Sequence, residues 1–189
     1  MLFVENQEFK GVDYSDTSFS KGEYENCVFS GCSFASSDLS DVVFSECVFK
    51  DCDLSNSSLK NTAFKDVRFI NSKLLGLHFE DCNPFLLEFF FENCVLNYSS
   101  FFKLKIKKTS FISCTMHEVD FIETNLNSSL FDDCDLLGTQ FDNSDLEKCD
   151  FYSSYNFEIN PDFNKIKKAK FSVRGAIGLL GKYDISIKP

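Results

Sequence analysis

An apolar side chain returns at every fifth position along most of this chain. Fifteen successive positions from Phe9 to Phe79 are aromatic or aliphatic, and after a break the pattern resumes at Leu86 and runs for fourteen more, to Phe151. At 43% hydrophobic content, an unbroken series of this length would arise by chance with a probability on the order of 10⁻¹¹, so the period is structural. Five residues match neither the 3.6-residue helix nor the two-residue alternation of a flat strand. They match a chain that turns a corner every five residues around a filled interior. Two positions before each central residue stands Cys, Ser, Thr, Val or Gly in 24 of 29 repeats, Thr17 among them; the exceptions are Gln7, Leu77, Pro84, Phe89 and Leu104. One large and one small side chain therefore point inward together. Asp, Asn and Gly recur two positions after the centre, as at Gly31, Asp41, Asp51 and Asn56, where turn formers suit a corner.

The cysteines carry a second period. Cys27 and Cys47, Cys32 and Cys52, and then Cys94, Cys114 and Cys134 are spaced by twenty, four pentads, which predicts four sides per coil. From Phe91 onward the central position alternates between Phe and an aliphatic residue. On four sides this predicts ring columns on two opposite faces: Phe91, Phe111, Phe131 and Phe151 on one, Phe101, Phe121 and Phe141 on the other. Phe9, Phe29, Phe49 and Phe69 stack likewise in the first half. At roughly 4.8 Å per coil, about seven coils make a rod on the order of 35 Å long.

Two segments depart from the period. Phe79 and Leu86 are seven residues apart, so two extra residues enter near 80–86, where Pro84 marks a bulge or kink that resets the register. Phe90 and Phe102 fall at outward positions. After residue 156 the pentads dissolve, dividing the chain into a repeat region, 1–156, and a C-terminal capping and dimerisation segment, 157–189. There Ser172 reads as an N-cap, and Val173 to Leu180 as a short apolar helix closed by Gly181 and weakened by Gly175 and Gly178. A solenoid end exposes backbone groups and rings, so this segment is expected to cap it.

The segments Cys27-Val-Phe-Ser-Gly-Cys-Ser-Phe-Ala-Ser-Ser-Asp-Leu39 and Cys134-Asp-Leu-Leu-Gly-Thr-Gln-Phe-Asp-Asn-Ser-Asp-Leu146 resemble the pentapeptide-repeat family, and the resemblance covers residues 4–156. It implies an all-β fold, a right-handed quadrilateral parallel β-helix, here with a short C-terminal helical cap. Within the family the chain is most similar to the Qnr-type quinolone-resistance proteins, through the order of rod, Asn160-Pro161, the Lys-rich run from Ile166 to Phe171, and an apolar end. That likeness implies a homodimer through the C-terminal segment, assigned to Val173, Ile177, Leu179 and Leu180. It also implies a type II topoisomerase (DNA gyrase) as partner, bound by mimicry of DNA and protected from quinolones or related poisons.

Charge bears on the same question. Net charge is −10, split as −14 over residues 1–156 and +4 over 157–189. The acidic body excludes direct nucleic-acid binding and points to a basic partner. Ten acids, Glu118, Asp120, Glu123, Asp132, Asp133, Asp135, Asp142, Asp145, Glu147 and Asp150, stand against Lys148 alone between residues 118 and 150. Fourteen net charges on the body compare with roughly 20 phosphates over about 35 Å of duplex. Lys103, Lys105, Lys107 and Lys108 interrupt this field with a basic patch beside Phe102, which favours the competing reading of a rigid protein-interaction scaffold without a topoisomerase role.

Chemistry finds no purchase. The nine cysteines lie in the small inward slot, with no Cys-x-x-Cys pair or converging His, so no metal or cofactor is expected. His78 and His117 read as surface residues. No phosphate loop, nucleophile elbow or zincin helix occurs, and the expectation is a non-enzyme. Glu5 and Glu8 stand where a signal peptide would be basic and then apolar, and no apolar run reaches a membrane span, so a cytoplasmic, non-membrane protein is expected.

Overall fold

The computed structural model describes residues 2–15, 18–183 and 185–186; Thr17, expected in the small inward slot, lies outside them. Each pentad forms one side of a coil, and each residue pairs in parallel with the one twenty positions on, as in Phe29↔Phe49 and Phe44↔Phe64. The molecule is an all-β parallel β-solenoid. On side 1, strands β1 (Leu2–Glu5), β3 (Gly22–Glu25), β5 (Val43–Ser45) and β7 (Ala63–Lys65) form a four-stranded sheet. On side 2, β2 (Glu8–Lys10), β4 (Val28–Ser30), β6 (Val48–Lys50), β8 (Val67–Ile70), β9 (Phe89–Glu92), β10 (Ser110–Ile112) and β11 (Leu130–Asp132) form a seven-stranded one. About six turns separate the first and last of these seven strands, and the rings of side 2 continue beyond them to Phe151 and Phe171, so the coil count differs slightly from the seven expected. Sides 3 and 4 are held by isolated bridges such as Asp53↔Lys73 and Ser100↔Asp120.

The corners explain the residue two places after each centre. Asn26, Asp41, Asp51, Asn56, Asn61 and their successors hold φ between 49° and 72°, the left-handed region that Asn, Asp and Gly tolerate best. Their amides also link neighbouring coils: Asn61 Nδ2 donates to Asp41 Oδ1 at 2.9 Å and Asn71 Nδ2 to Asp51 Oδ1 at 3.0 Å.

The small inward slot has a requirement beyond size. Alanine is small, yet it occupies none of these slots in the 29 repeats and stands there only at Ala169, before Phe171 in the C-terminal segment. Thr62 Oγ1 donates to the Leu39 carbonyl at 2.8 Å, Ser57 Oγ to Phe34 at 2.6 Å, Ser154 Oγ to Phe131 at 2.8 Å and Cys47 Sγ to Tyr24 at 3.3 Å. Each reaches a carbonyl 23 residues back, on the preceding coil. A hydroxyl or thiol here fills the corner and adds a bond to a buried acceptor.

One ring column runs through the whole rod and a second through its later coils. On side 2 successive rings from Phe9 through Phe29, Phe49, Phe69, Phe91, Phe111, Phe131 and Phe151 to Phe171 lie 4.6–5.4 Å apart and nearly parallel. On the opposite side 4, Phe79, Phe101, Phe121 and Phe141 stack at 4.4, 4.9 and 5.4 Å. The two columns meet edge to face, as between Phe101 and Phe111 at 6.1 Å and 87°, the arrangement that ring quadrupoles favour.

The register break differs from the expectation. Leu86 does not resume the inward series: it is 63% exposed with φ 57°, a corner residue two places after Pro84. The five-residue step thus continues from Phe79 to Pro84, and the two extra residues lie between Pro84 and Phe91. The spacing changes there: Asn83 N–H still reaches Thr62 O, 21 residues back as Asp53 N–H reaches Cys32 O between regular coils, whereas Val67 pairs with Phe89, 22 residues on rather than 20. Pro84 is exposed, which leaves its inward place vacant. The Phe89 ring fills it from the small slot, 5.6 Å from Phe64 and 5.2 Å from Phe79, and Leu104, one coil later on the same side, is also large and buried. One exception to the small-residue rule, Phe89, therefore compensates for the corner.

At the C-terminal end the expected apolar helix is instead a pair of 3-10 turns, Gly175–Leu179 and Gly181–Tyr183. Ser172 Oγ does accept the Gly175 N–H at 2.9 Å. Close approach to Phe157 controls the rest. A Cβ on Gly178 would stand 2.2 Å from the Phe157 carbonyl oxygen, while the Gly178 carbonyl accepts the Ile159 N–H at 3.1 Å. Phe157 and Ile159 are buried, and Leu179 packs on the core. The turns are thereby pinned over the last coil.

Candidate functional site

The ten acids between residues 118 and 150 do not form one face. Pentads assign Asp145 and Glu147 to side 1, Asp132, Asp133 and Asp150 to side 2, Glu118 and Asp135 to side 3, and Asp120, Glu123 and Asp142 to side 4. They make a collar around the C-terminal coils. Several are committed within it. Asp120 Oδ1 and Asp145 Oδ1 accept the N–H groups of Ile122 and Glu147 at 2.7 and 3.1 Å, Asp132 accepts Ser153 Oγ at 2.6 Å, and Ser113 Oγ reaches Asp133 at 3.4 Å. Lys170 Nζ lies 2.8 Å from Asp150 and holds its carboxyl below the usual carboxylate value against partial burial. Burial works against the Asp135 carboxylate, but hydrogen bonds from His117 and Asn156 outweigh it and keep that pKa low as well. His117, expected as a plain surface residue, is thus bound to the collar at 2.9 Å.

The basic patch is likewise divided by a corner. Lys103 belongs to side 4, 3.6 Å from Glu123 and 4.5 Å above the Phe102 ring, whereas Lys105, Lys107 and Lys108 project from side 1. Phe102 and Phe90 are half-buried, the latter under the Arg68 guanidinium at 4.2 Å. The exposed apolar residues near the break are Phe85 and Leu86.

Beside the collar an open cleft of about 720 Å³ separates the last coil from the C-terminal turns. Tyr152, Tyr155, Leu137, Arg174 and Ile177 line it. Of the residues assigned to dimerisation, Val173 is 94% exposed, Ile177 and Leu180 are exposed, and Leu179 is turned to the core. The exposed Tyr152 and Tyr155 adjoin them, a pair that periodicity alone did not single out because both lie at outward positions.

The cysteines are all buried and free. Burial pushes the thiols of Cys47, Cys52 and Cys149 up to about 12, far from nucleophilic. Among the described residues no group of three or more His, Cys, Asp or Glu is placed to hold a metal, and no helix is long and apolar enough to cross a membrane.

The family profile described as "Pentapeptide repeat region" matches residues 17–89 and 86–156, most of the chain. The chain belongs to the pentapeptide-repeat family. No curated protein matches it. Among solved structures, this pentapeptide-repeat protein is similar to trypsin-treated QnrB1, a plasmid-mediated fluoroquinolone resistance protein, at 18% identity and a TM-score of 0.64 over 100% of this chain and 92% of that one. It is also similar to HetL, a pentapeptide-repeat protein involved in heterocyst differentiation regulation in the cyanobacterium Nostoc, at 14% identity and 0.73 over 91% and 88%. At such identities the likeness is one of fold.

Proposed function

We propose that this protein is a non-catalytic, cytoplasmic DNA mimic that inserts the acidic coils of residues 118–150 into the DNA-binding groove of a type II topoisomerase, DNA gyrase, and shields it from quinolones or related poisons. The collar carries the reading: ten acids within a few coils give a rigid cylinder with a charge density close to that of duplex DNA, and a basic groove reads such a cylinder from any side. A two-fold dimer through Val173, Ile177 and Leu180, with Leu179 anchoring the turn from within, doubles the acidic length and matches a two-fold groove. The exposure of those three side chains beside Tyr152 and Tyr155 supports this interface.

A second reading, a scaffold for some other protein, is favoured by the lysines of side 1, which a faithful mimic would lack. Gyrase supercoiling measured with and without a quinolone, across protein concentrations, separates the two. Inhibition of supercoiling and relief of quinolone-stabilised cleavage at micromolar protein are expected; no effect at that concentration rejects mimicry and leaves the scaffold.

A further inference from the structure

Side 1 carries an uneven charge pattern along the rod. Backbone pairing stacks Phe3, Glu23, Val43 and Ala63 in one column and Glu5, Glu25, Ser45 and Lys65 beside it. Beyond the corner at Pro84 the same side continues as Lys105, Asn125, Asp145 and Lys165. Its first four coils thus present Glu5, Glu23, Glu25, Glu46 and Asp66 against Lys65 alone. Lys105, Lys107 and Lys108 follow on the coil after the corner. Every ion pair among the described residues lies elsewhere, so this side holds its charges without partners from its own chain.

The acidic and basic blocks are symmetric about β7. Glu23 and Glu25 lie two coils before it, Lys105, Lys107 and Lys108 two coils after, each about 10 Å away. We propose that side 1 is a self-complementary surface on which a second copy of this chain docks antiparallel, with the two-fold axis through β7. Turning the copy about that axis sets Glu23 and Glu25 opposite the partner's Lys105, Lys107 and Lys108, and by symmetry the reverse. At the axis the buried Ala63 makes the surface flat, and Lys65 meets the partner's Asp66. One coil off the axis, Phe85, 67% exposed, comes over the partner's Ser45, whose short side chain leaves room for it, and Leu86 meets the stem of the partner's Glu46.

Seven overlapping coils of one side give roughly 1,100 Å² of total buried area, which clears the lower limit for a specific interface. An anionic membrane or nucleic acid is a poorer occupant, because the acidic half of the same side would repel it. This interface is separate from the C-terminal one and does not rest on the topoisomerase reading.

Sedimentation velocity at low salt tests it with E23K/E25K and K105E/K107E, all four positions being exposed. Each variant alone is expected to weaken self-association on the order of 100-fold, since like charges then face each other. An equimolar mixture of the two restores the dimer, because both charge arms are again opposite in sign. Raising salt to about 1 M, where the screening length falls to about 3 Å, dissociates the I177D/L180D variant, which lacks the C-terminal interface, to monomer. The I177D/L180D variant leaves this association unchanged. A wild type that stays monomeric at about 100 μM protein and low salt, single variants that associate like wild type, or a mixture that fails to pair each overturn the proposal. Association lost in I177D/L180D but insensitive to the charge reversals overturns it while leaving the C-terminal dimer standing.

Discussion

Phe111→Ala offers the most direct measure of how the ring columns hold the rod. The side chain is fully buried. Its ring lies 5.0 Å from Phe91 and 4.9 Å from Phe131 within its column, and edge-on to Phe101 and Phe121 at 6.1 and 5.8 Å. Truncating a buried Phe costs about 3–5 kcal/mol through lost transfer energy and the cavity left behind. Four aromatic contacts at about 0.5–1.5 kcal/mol each place this site in the upper half of that range. Collapse cannot recover much, because the coils above and below are held at their spacing by ladders such as Phe111↔Phe131 and Phe91↔Phe111. Phe9→Ala is the internal control: that ring is half-buried on the first coil, stacks on Phe29 at 4.8 Å and meets Tyr24 edge-on at 6.2 Å, two aromatic contacts rather than four, so a loss of about 1–2 kcal/mol is expected. Urea unfolding followed by circular dichroism, analysed with a common slope, reads both. A loss below about 2 kcal/mol at Phe111, or one no larger than at Phe9, would refute the column as the main source of stability.

Thr62→Val keeps the shape of the inward slot but deletes the bond to the Leu39 carbonyl; a loss of about 1 kcal/mol is expected, and unfolding equal to wild type would reduce the slot to a matter of size. Gly178→Ala forces a methyl into the Phe157 carbonyl and should speed hydrogen exchange in residues 157–180 while the central coils stay protected; uniform protection throughout contradicts the cap. The lowered pKa of Asp135 means its contribution to stability is full above about pH 4 and is lost as pH falls through the lowered value. His117→Ala should raise that pKa in an NMR titration, and an unmoved titration would show that the imidazole plays no part.

The sequence made the solenoid legible because nearly every central inward position is apolar, so one period exposes the whole lattice. The break was harder to place. Pro84 and Leu86 compete for the inward place on apolarity alone, and Leu gives no hint that it will adopt a left-handed corner. Cys82 was the available signal, since a small inward residue five after Leu77 keeps Pro84 in step. The C-terminal turns escaped because a pattern of apolar residues does not distinguish an α-helix from 3-10 turns when a buried ring such as Phe157 decides the path. The acidic run was visible in order but not in space: consecutive pentads face four directions, so a block along the chain becomes a collar. The absence of Ala from the small slot of the 29 repeats was a readable sign of the thiol and hydroxyl bonds, one that counting side-chain size conceals.

Four-sidedness also governs how a gene for such a protein can change length. Duplicating or deleting twenty residues adds or removes one whole storey and leaves every later side chain facing the same way. A change of five residues would instead rotate the remainder by a quarter turn, carrying Lys105 and its neighbours onto an adjoining wall and scrambling any surface assembled from several storeys. The corner at Pro84 shows a third route: two additional residues are absorbed locally, with the pairing offset rising to 22 at Val67↔Phe89 and returning to 20 at Phe91↔Phe111. Corners are therefore the places where such a chain can acquire new loops without disturbing the orientation of anything downstream.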